Sequence, residues 1–180
     1  MENDKQHVYV DTQYVYAYAV GSKKDEDRYV AEQFKSLISN KNPNILPKIP
    51  FTVIGETINN IKTKNLSSNE EQNIMDKILK LSRNNSVDFI PASPFCLKIA
   101  SYIKSQDPRL EDTDVLIVSH AIADPNSSLL LFIEDAIINS GVIDELRVDR
   151  ANKIKEICDH NSNLRYRDLN IRDFFKEDIN

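Results

Sequence analysis

Acidic residues stand just beyond two short apolar runs of this 180-residue sequence, where they could do chemistry together. Asp11 directly follows the VYV segment at 8–10, and Asp135 follows the run at 129–133 with Glu134 between them. Ligands bind outside the carboxyl ends of the strands in parallel sheets, so two strand-end acids could share one cleft. The alternative is turn chemistry, because Asp bonds its own backbone and favours turns and helix caps.

A third acid leads a helical pattern in the segment LEDTDVLIVSHAIAD. The residues that share one helical face are Asp114, Ile117, Val118 and Ala121. Asp114 is therefore expected to point toward the sheet, whereas Asp112 is expected to face solvent. A carboxylate that only stabilises the helix N-terminus, worth about 0.3 to 1 kcal/mol, is the alternative. The asymmetry favours Asp114 over Asp112 as a functional residue.

Glu56 is the fourth candidate, in the segment IPFTVIGETINNI. Ile54, Ile58 and Ile61 form an apolar stripe at helical spacing, and Glu56 lies nearly opposite that stripe. Periodicity alone therefore predicts that Glu56 is solvated.

The elements that must position these acids alternate along the chain. Strands are predicted at 7–10, 87–90 and 129–133, with a weaker strand around 164–171. Helices are predicted at about 13–20, 26–40, 51–63, 69–84, 94–104, 113–123 and 150–159. This alternation predicts an α/β fold, a three-layer sandwich with a mostly parallel central sheet flanked by helices.

Length and composition narrow the classes of protein. We expect residues 1–180 to form a single domain, and the absence of an export signal or long apolar run predicts a soluble, cytoplasmic protein without a membrane partner. The formal net charge of −5 argues against nucleic-acid binding over the whole surface but permits a local basic groove. There is no glycine-rich phosphate loop, and the two cysteines lack zinc-site spacing.

Four segments, in this order, resemble the PIN-domain nucleases. They are VDT at Asp11, PFTVIGE at Glu56, TDVLIVSHA at Asp114 and LLLFIED at Asp135. The best match surrounds Asp114, where an aliphatic residue three positions on and an alanine seven positions on fit the family pattern. The resemblance covers most of residues 7–135, so residues 136–180 are a less typical C-terminal part.

The resemblance implies a Mg²⁺- or Mn²⁺-dependent endoribonuclease whose catalytic acids share one pocket. Asp11 and Asp114 would be the principal metal ligands, with Asp135 and Glu56 binding a second ion directly or through water. Physical chemistry agrees, since hard divalent ions take oxygen ligands and four clustered carboxylates would otherwise repel one another. The resemblance also implies an RNA substrate and admits an RNA-processing role or a toxin role with a small antitoxin partner. A homodimer is common among such proteins.

Other functions compete with this interpretation. Asp112-Thr113-Asp114-Val115 looks like the nucleophile motif of haloacid-dehalogenase-like phosphatases, but no strand precedes it. A receiver-like domain would share the fold class, yet the sequence lacks a clear late strand-end Lys. A catalytically inactive PIN-like scaffold that binds RNA or protein is the non-enzyme alternative, and loss of an acid would be its mark.

Overall fold

Five parallel strands form one sheet in the computed structural model, which describes residues 5–21, 25–39, 42–83, 87–159 and 164–172. The strands are β1 (Gln6–Val10), β2 (Ile45–Pro50), β3 (Asp88–Ile90), β4 (Ser127–Leu131) and β5 (Asn170–Arg172). Their order across the sheet is β3-β2-β1-β4-β5. The chain adds strands to one side of β1 and then to the other, and this change of side forms a crevice at the carboxyl end of β1.

Helices flank this sheet. In the described residues they are α1 (Thr12–Val20), α2 (Asp25–Ser39), α3 (Phe51–Lys62), α4 (Ser68–Ser82), α5 (Pro94–Gln106), α6 (Asp112–Ala123), α7 (Asp135–Ile138), α8 (Gly141–Val148) and α9 (Arg150–Cys158). The predicted α/β class, with a parallel sheet between helices, is confirmed. None of the described helices is long and apolar enough to cross a membrane.

Side-chain caps set where several helices begin. The Ser93 hydroxyl accepts the backbone N–H of Cys96 at 3.1 Å, and Pro94 occupies the first turn, where its missing N–H removes no bond. Before α4, Ser67 and Glu70 form a capping box in which each side chain bonds the other residue's backbone N–H. These helix starts are set by residues close in sequence and do not depend on contacts with distant parts of the chain.

β2 is a strand that the sequence pattern does not predict, because Pro47 and Pro50 interrupt it. Its pairing explains how the prolines are tolerated: β3 pairs with β2 only from Lys48 onward, and Pro50 is the last residue before α3. The last strand, β5, is also shorter than the weak strand predicted at 164–171. The short helices α7 and α8 lie outside the predicted set.

Arg150 bonds the C-terminal part of the chain to the core. Its side chain is 3% exposed, and its guanidinium donates to the carbonyls of Ala121 and Ile122 in α6, Ser127 in β4 and Arg167. Burial lowers the pKa of Arg150 to about 10, so it keeps its charge at neutral pH. One buried cation thus joins α6, α9, β4 and the segment that leads to β5.

Candidate active site

The carboxyl ends of β1 and β4 lie side by side, because Val10 pairs with Leu131. Asp11 follows β1 directly and caps α1, where its carboxylate accepts the Thr12 N–H at 2.5 Å. The backbone N–H of Asp11 donates to the Leu131 carbonyl at 3.0 Å, and the N–H of Ile133 also bonds the carboxylate. These bonds fix the direction of the Asp11 side chain.

A pocket with a volume of about 240 Å³ opens at this edge of the sheet. Its acidic lining residues are Asp11, Asp27, Glu56, Asp114 and Glu134. Thr12, Gln13, Tyr16 and Asn60 complete the lining. No Lys, Arg or His is among the described residues that line it. The pocket is therefore a strongly acidic site that would attract a cation.

Asp114 reaches the pocket from the first turn of α6. Its side chain is buried, with 7% exposure, as its position on the apolar face predicts. Asp112, two residues earlier, is exposed and pairs with Lys104 at 2.9 Å. The predicted difference in orientation between the two acids is confirmed.

Glu56 is half-buried and faces the pocket from α3. The hydroxyl of Thr12 donates to its carboxylate at 2.6 Å, which links the start of α1 to α3. The buried side of α3 consists of Val53, Thr57 and Ile61. Periodicity correctly places Glu56 outside the core. It cannot show whether such a residue lies on the open surface or in a pocket.

The structure places Glu134 in the pocket, whereas the sequence pattern selects Asp135. Glu134 is the extended residue before α7, with φ −74° and ψ 121°, and Asp135 is an exposed residue in the first turn of that helix. Asp135 is not among the residues that line the pocket. Both side chains are exposed, so what distinguishes the two adjacent acids is that Glu134, still outside the helix, lines the pocket and Asp135, already helical, does not.

Two carboxyl groups of this pocket, those of Asp11 and Asp114, have pKa values above the ordinary range. Burial, followed by the charges of Glu56 and Glu134, raises the pKa of Asp11 to about 7. Burial, followed by the charges of Glu134 and Asp11, also raises the pKa of Asp114. A side-chain hydrogen bond between Asp114 and Glu134 adds to the rise in the pKa of Asp114. Repulsion among these carboxylates is what a bound cation would relieve.

The donor set fits a hard divalent cation such as Mg²⁺ or Mn²⁺. Such ions prefer oxygen ligands, and Mg²⁺ is commonly held by a few carboxylates together with water. Among the described residues, no three acidic, histidine or cysteine side chains already converge as an assembled metal site. Asp11, Glu56, Asp114 and Glu134 would supply the oxygens, and a bound cation would offset the repulsion among their charges.

The raised pKa of Asp11 leads to a prediction about stability. The folded state binds this proton more tightly than the unfolded state, in which the ordinary value is 3.8. In EDTA, the free energy of unfolding should therefore fall as the pH rises from about 4 to about 8, by on the order of 3 kcal/mol. Urea unfolding at several pH values between about 4 and about 8 measures this free energy. Asp11→Asn should make the profile less steep, with Asp114, whose pKa is also raised, responsible for part of the remaining slope. The prediction is wrong if the two profiles are parallel.

A solved structure with a similar fold is the crystal structure of VapBC2 from Rickettsia felis bound to a DNA fragment from their promoter. The matching chain is 17% identical in sequence, the alignment covers 91% of this chain and 98% of that chain, and the TM-score is 0.51. No protein-family model matches the sequence, and no curated protein does. At this identity the likeness establishes the fold alone, and the expected PIN-like fold is confirmed.

Proposed function

We propose that this protein is a Mg²⁺- or Mn²⁺-dependent endoribonuclease, a hydrolase that cleaves phosphodiester bonds of RNA at the acidic pocket. The observation that carries the proposal is that Asp11, Glu56, Asp114 and Glu134 line one pocket. The described residues that line it include no Lys, Arg or His. The PIN-like fold supports it, since the acids lie at the sheet edge where such folds bind ligands.

Each side chain has a distinct task in this proposal. Asp11 and Asp114 would hold the principal ion, since both are largely buried and still line the pocket. Glu56 and Glu134 extend the acidic wall, with Glu56 oriented by the Thr12 hydroxyl. A bound divalent ion supplies positive charge for the phosphate and lowers the pKa of a water nucleophile. We assign Glu134 the position that the sequence pattern gave to Asp135.

Cleavage of a mixed pool of single-stranded and structured RNA tests this function. The protein should cut RNA with Mn²⁺ or Mg²⁺ and lose that activity in EDTA, leaving 5'-phosphate and 3'-hydroxyl ends. Absence of cutting with either ion over a wide range of RNA sequences would overturn the nuclease. RNA binding without cutting would instead support the inactive PIN-like scaffold.

The choice between the adjacent acids Glu134 and Asp135 gives a second prediction for cleavage. Glu134→Gln should lower the rate of cleavage by about ten- to a hundredfold, because it removes a pocket carboxylate that contacts Asp114. Asp135→Asn should leave the rate within about twofold, because Asp135 is not among the residues that line the pocket. Single-turnover rates of both variants measure the effect. The reverse order would return the role to Asp135.

The proposal extends to a toxin that is held inactive by a small partner protein. What supports it is the similar structure, VapBC2 with promoter DNA, together with a pocket that a partner could cover. Expression of this chain should arrest growth, and co-expression of a small protein encoded beside it should relieve the arrest. An RNA-processing nuclease would show neither effect. A cytoplasmic location and a homodimer remain predictions from the sequence.

A further inference from the structure

A line of polar side chains runs from the pocket to the surface along α3. Glu56 and Asn60 both line the pocket, and Lys64 follows at the same spacing of four residues. Residues four apart lie on one face of a helix. The helical sense continues beyond α3, since Thr63 has αR backbone angles and the N–H of Lys64 donates to the Ile61 carbonyl at 3.0 Å. The order along the line is carboxylate, amide, ammonium.

Lys64 is held beside the pocket by an aromatic ring. Its Nζ lies 4.8 Å from the ring centroid of Tyr16, and Tyr16 itself lines the pocket from α1. A cation over an aromatic face gains about 0.5–1 kcal/mol at exposed sites, enough to favour one position of a flexible side chain. Lys64 is exposed, so its charge remains accessible to a ligand. A positive charge thus stands at the rim of an otherwise acidic site.

The charges around the pocket differ from one side to the other. Asp27 of α2 lines the pocket, whereas the α3 side continues through Asn60 toward Lys64. A phosphodiester chain that enters the pocket is a polyanion and is attracted by Lys64 but repelled by Asp27. The separation of eight positions between Glu56 and Lys64 corresponds to about 12 Å of helix rise, so Lys64 reaches a phosphate near the cleaved bond and not that bond itself.

We propose that the RNA strand runs from the acidic pocket along α3, with Asn60 and Lys64 contacting its backbone beside the cleavage site. This inference rests on the proposed nuclease function and adds the path of the substrate. Lys64 is then a substrate-binding residue that carries no sequence information, because it contacts phosphate and not base edges.

Salt-dependent binding tests the path. In an Asp114→Asn background, which prevents cleavage, binding of a single-stranded RNA oligonucleotide is measured with Mg²⁺ at several salt concentrations. Lys64→Gln should reduce the slope of log K against log salt by about 0.7 and weaken binding about three- to tenfold at low salt. Lys64→Arg should restore both, because it keeps the charge.

Lys62→Gln is the matched control. Lys62 is exposed at the end of the same helix, and a difference of two residues places it about 200° away around the axis. It should leave the slope and the affinity unchanged. In the active protein, Lys64→Gln should raise KM about three- to tenfold with kcat within about twofold, which a loss of folding would not produce.

The outcomes separate the two claims. Metal-dependent cutting by the wild type with an unchanged salt slope and KM in Lys64→Gln would refute the α3 path and leave the nuclease in place. Equal effects of Lys62→Gln and Lys64→Gln would also refute it, because they would reflect general surface charge. Failure of the wild type to bind or cut RNA would overturn both the path and the function.

Discussion

Asp114→Asn is expected to lower the rate of RNA cleavage by about a thousandfold or more. The substitution keeps the shape of the side chain but replaces a buried carboxylate at the centre of the acidic pocket with a neutral amide. A divalent ion that loses an anionic ligand loses several kcal/mol of its effect on the transition state, and each 1.36 kcal/mol is about tenfold in rate. Single-turnover cleavage with Mn²⁺ measures the loss.

Asp112→Asn is the matched control for this prediction. It is the same substitution two residues earlier in α6, at an exposed side chain that pairs with Lys104. Its rate should stay within about twofold of the wild type, since exposed ion pairs contribute little. Asp114→Asn should also unfold at no lower urea concentration than the wild type in EDTA, because it removes a carboxyl group whose pKa is raised by burial. Retention of more than about a tenth of the rate would exclude Asp114 as a principal ligand.

Arg150→Ala is expected to lower the free energy of unfolding by about 3–5 kcal/mol. The guanidinium donates to carbonyls in α6 and β4 and to Arg167, at 2.6 Å in the last case. Its removal leaves several buried carbonyls without a donor and a cavity beside Tyr166, whose ring it contacts. Urea unfolding at neutral pH measures the change.

Two further variants make the prediction for Arg150 specific. Arg109→Ala removes an exposed Arg that pairs with its neighbour Asp107, and it should change the free energy of unfolding by less than about 0.5 kcal/mol. Arg150→Lys keeps the charge but has fewer donors and no planar fork, so its loss should be intermediate. A free energy of unfolding for Arg150→Ala within about 1 kcal/mol of the wild type would contradict the role of Arg150 in joining the C-terminal part of the chain to the core.

Sequence patterns correctly predicted the elements in which burial dictates the spacing of apolar residues. β1 and the apolar face of α6 follow from periodicity, because a buried strand needs successive apolar residues and a buried helix face repeats every three or four. Asp114 is located by the same rule. β2 escaped prediction because Pro47 precedes the part of the strand that pairs with β3 and Pro50 ends the strand at the start of α3, and both are properties of the assembled sheet.

The choice between Glu134 and Asp135 depends on information that periodicity lacks. The regular strand ends at Leu131, and the chain then continues through three residues outside it before α7. Which acid lines the pocket therefore depends on where this stretch turns into α7, and Glu134 is its last residue before the helix. Lys64 is similarly hidden, because its place over Tyr16 arises from the packing of α1 against α3, two elements far apart in sequence.

We expect the short strand β5 to limit edge-to-edge association of the sheet with strands of other chains. Its pairing with residues 129–131 covers the backbone of an apolar strand that would otherwise form an open edge of the sheet. Open edges of this kind recruit strands from other chains and start aggregation. β5 itself is only three residues long and ends in Arg172, which makes it a poor template. Removal of the chain beyond α9, including β5, should therefore make the protein prone to aggregation while leaving every acid of the pocket in place.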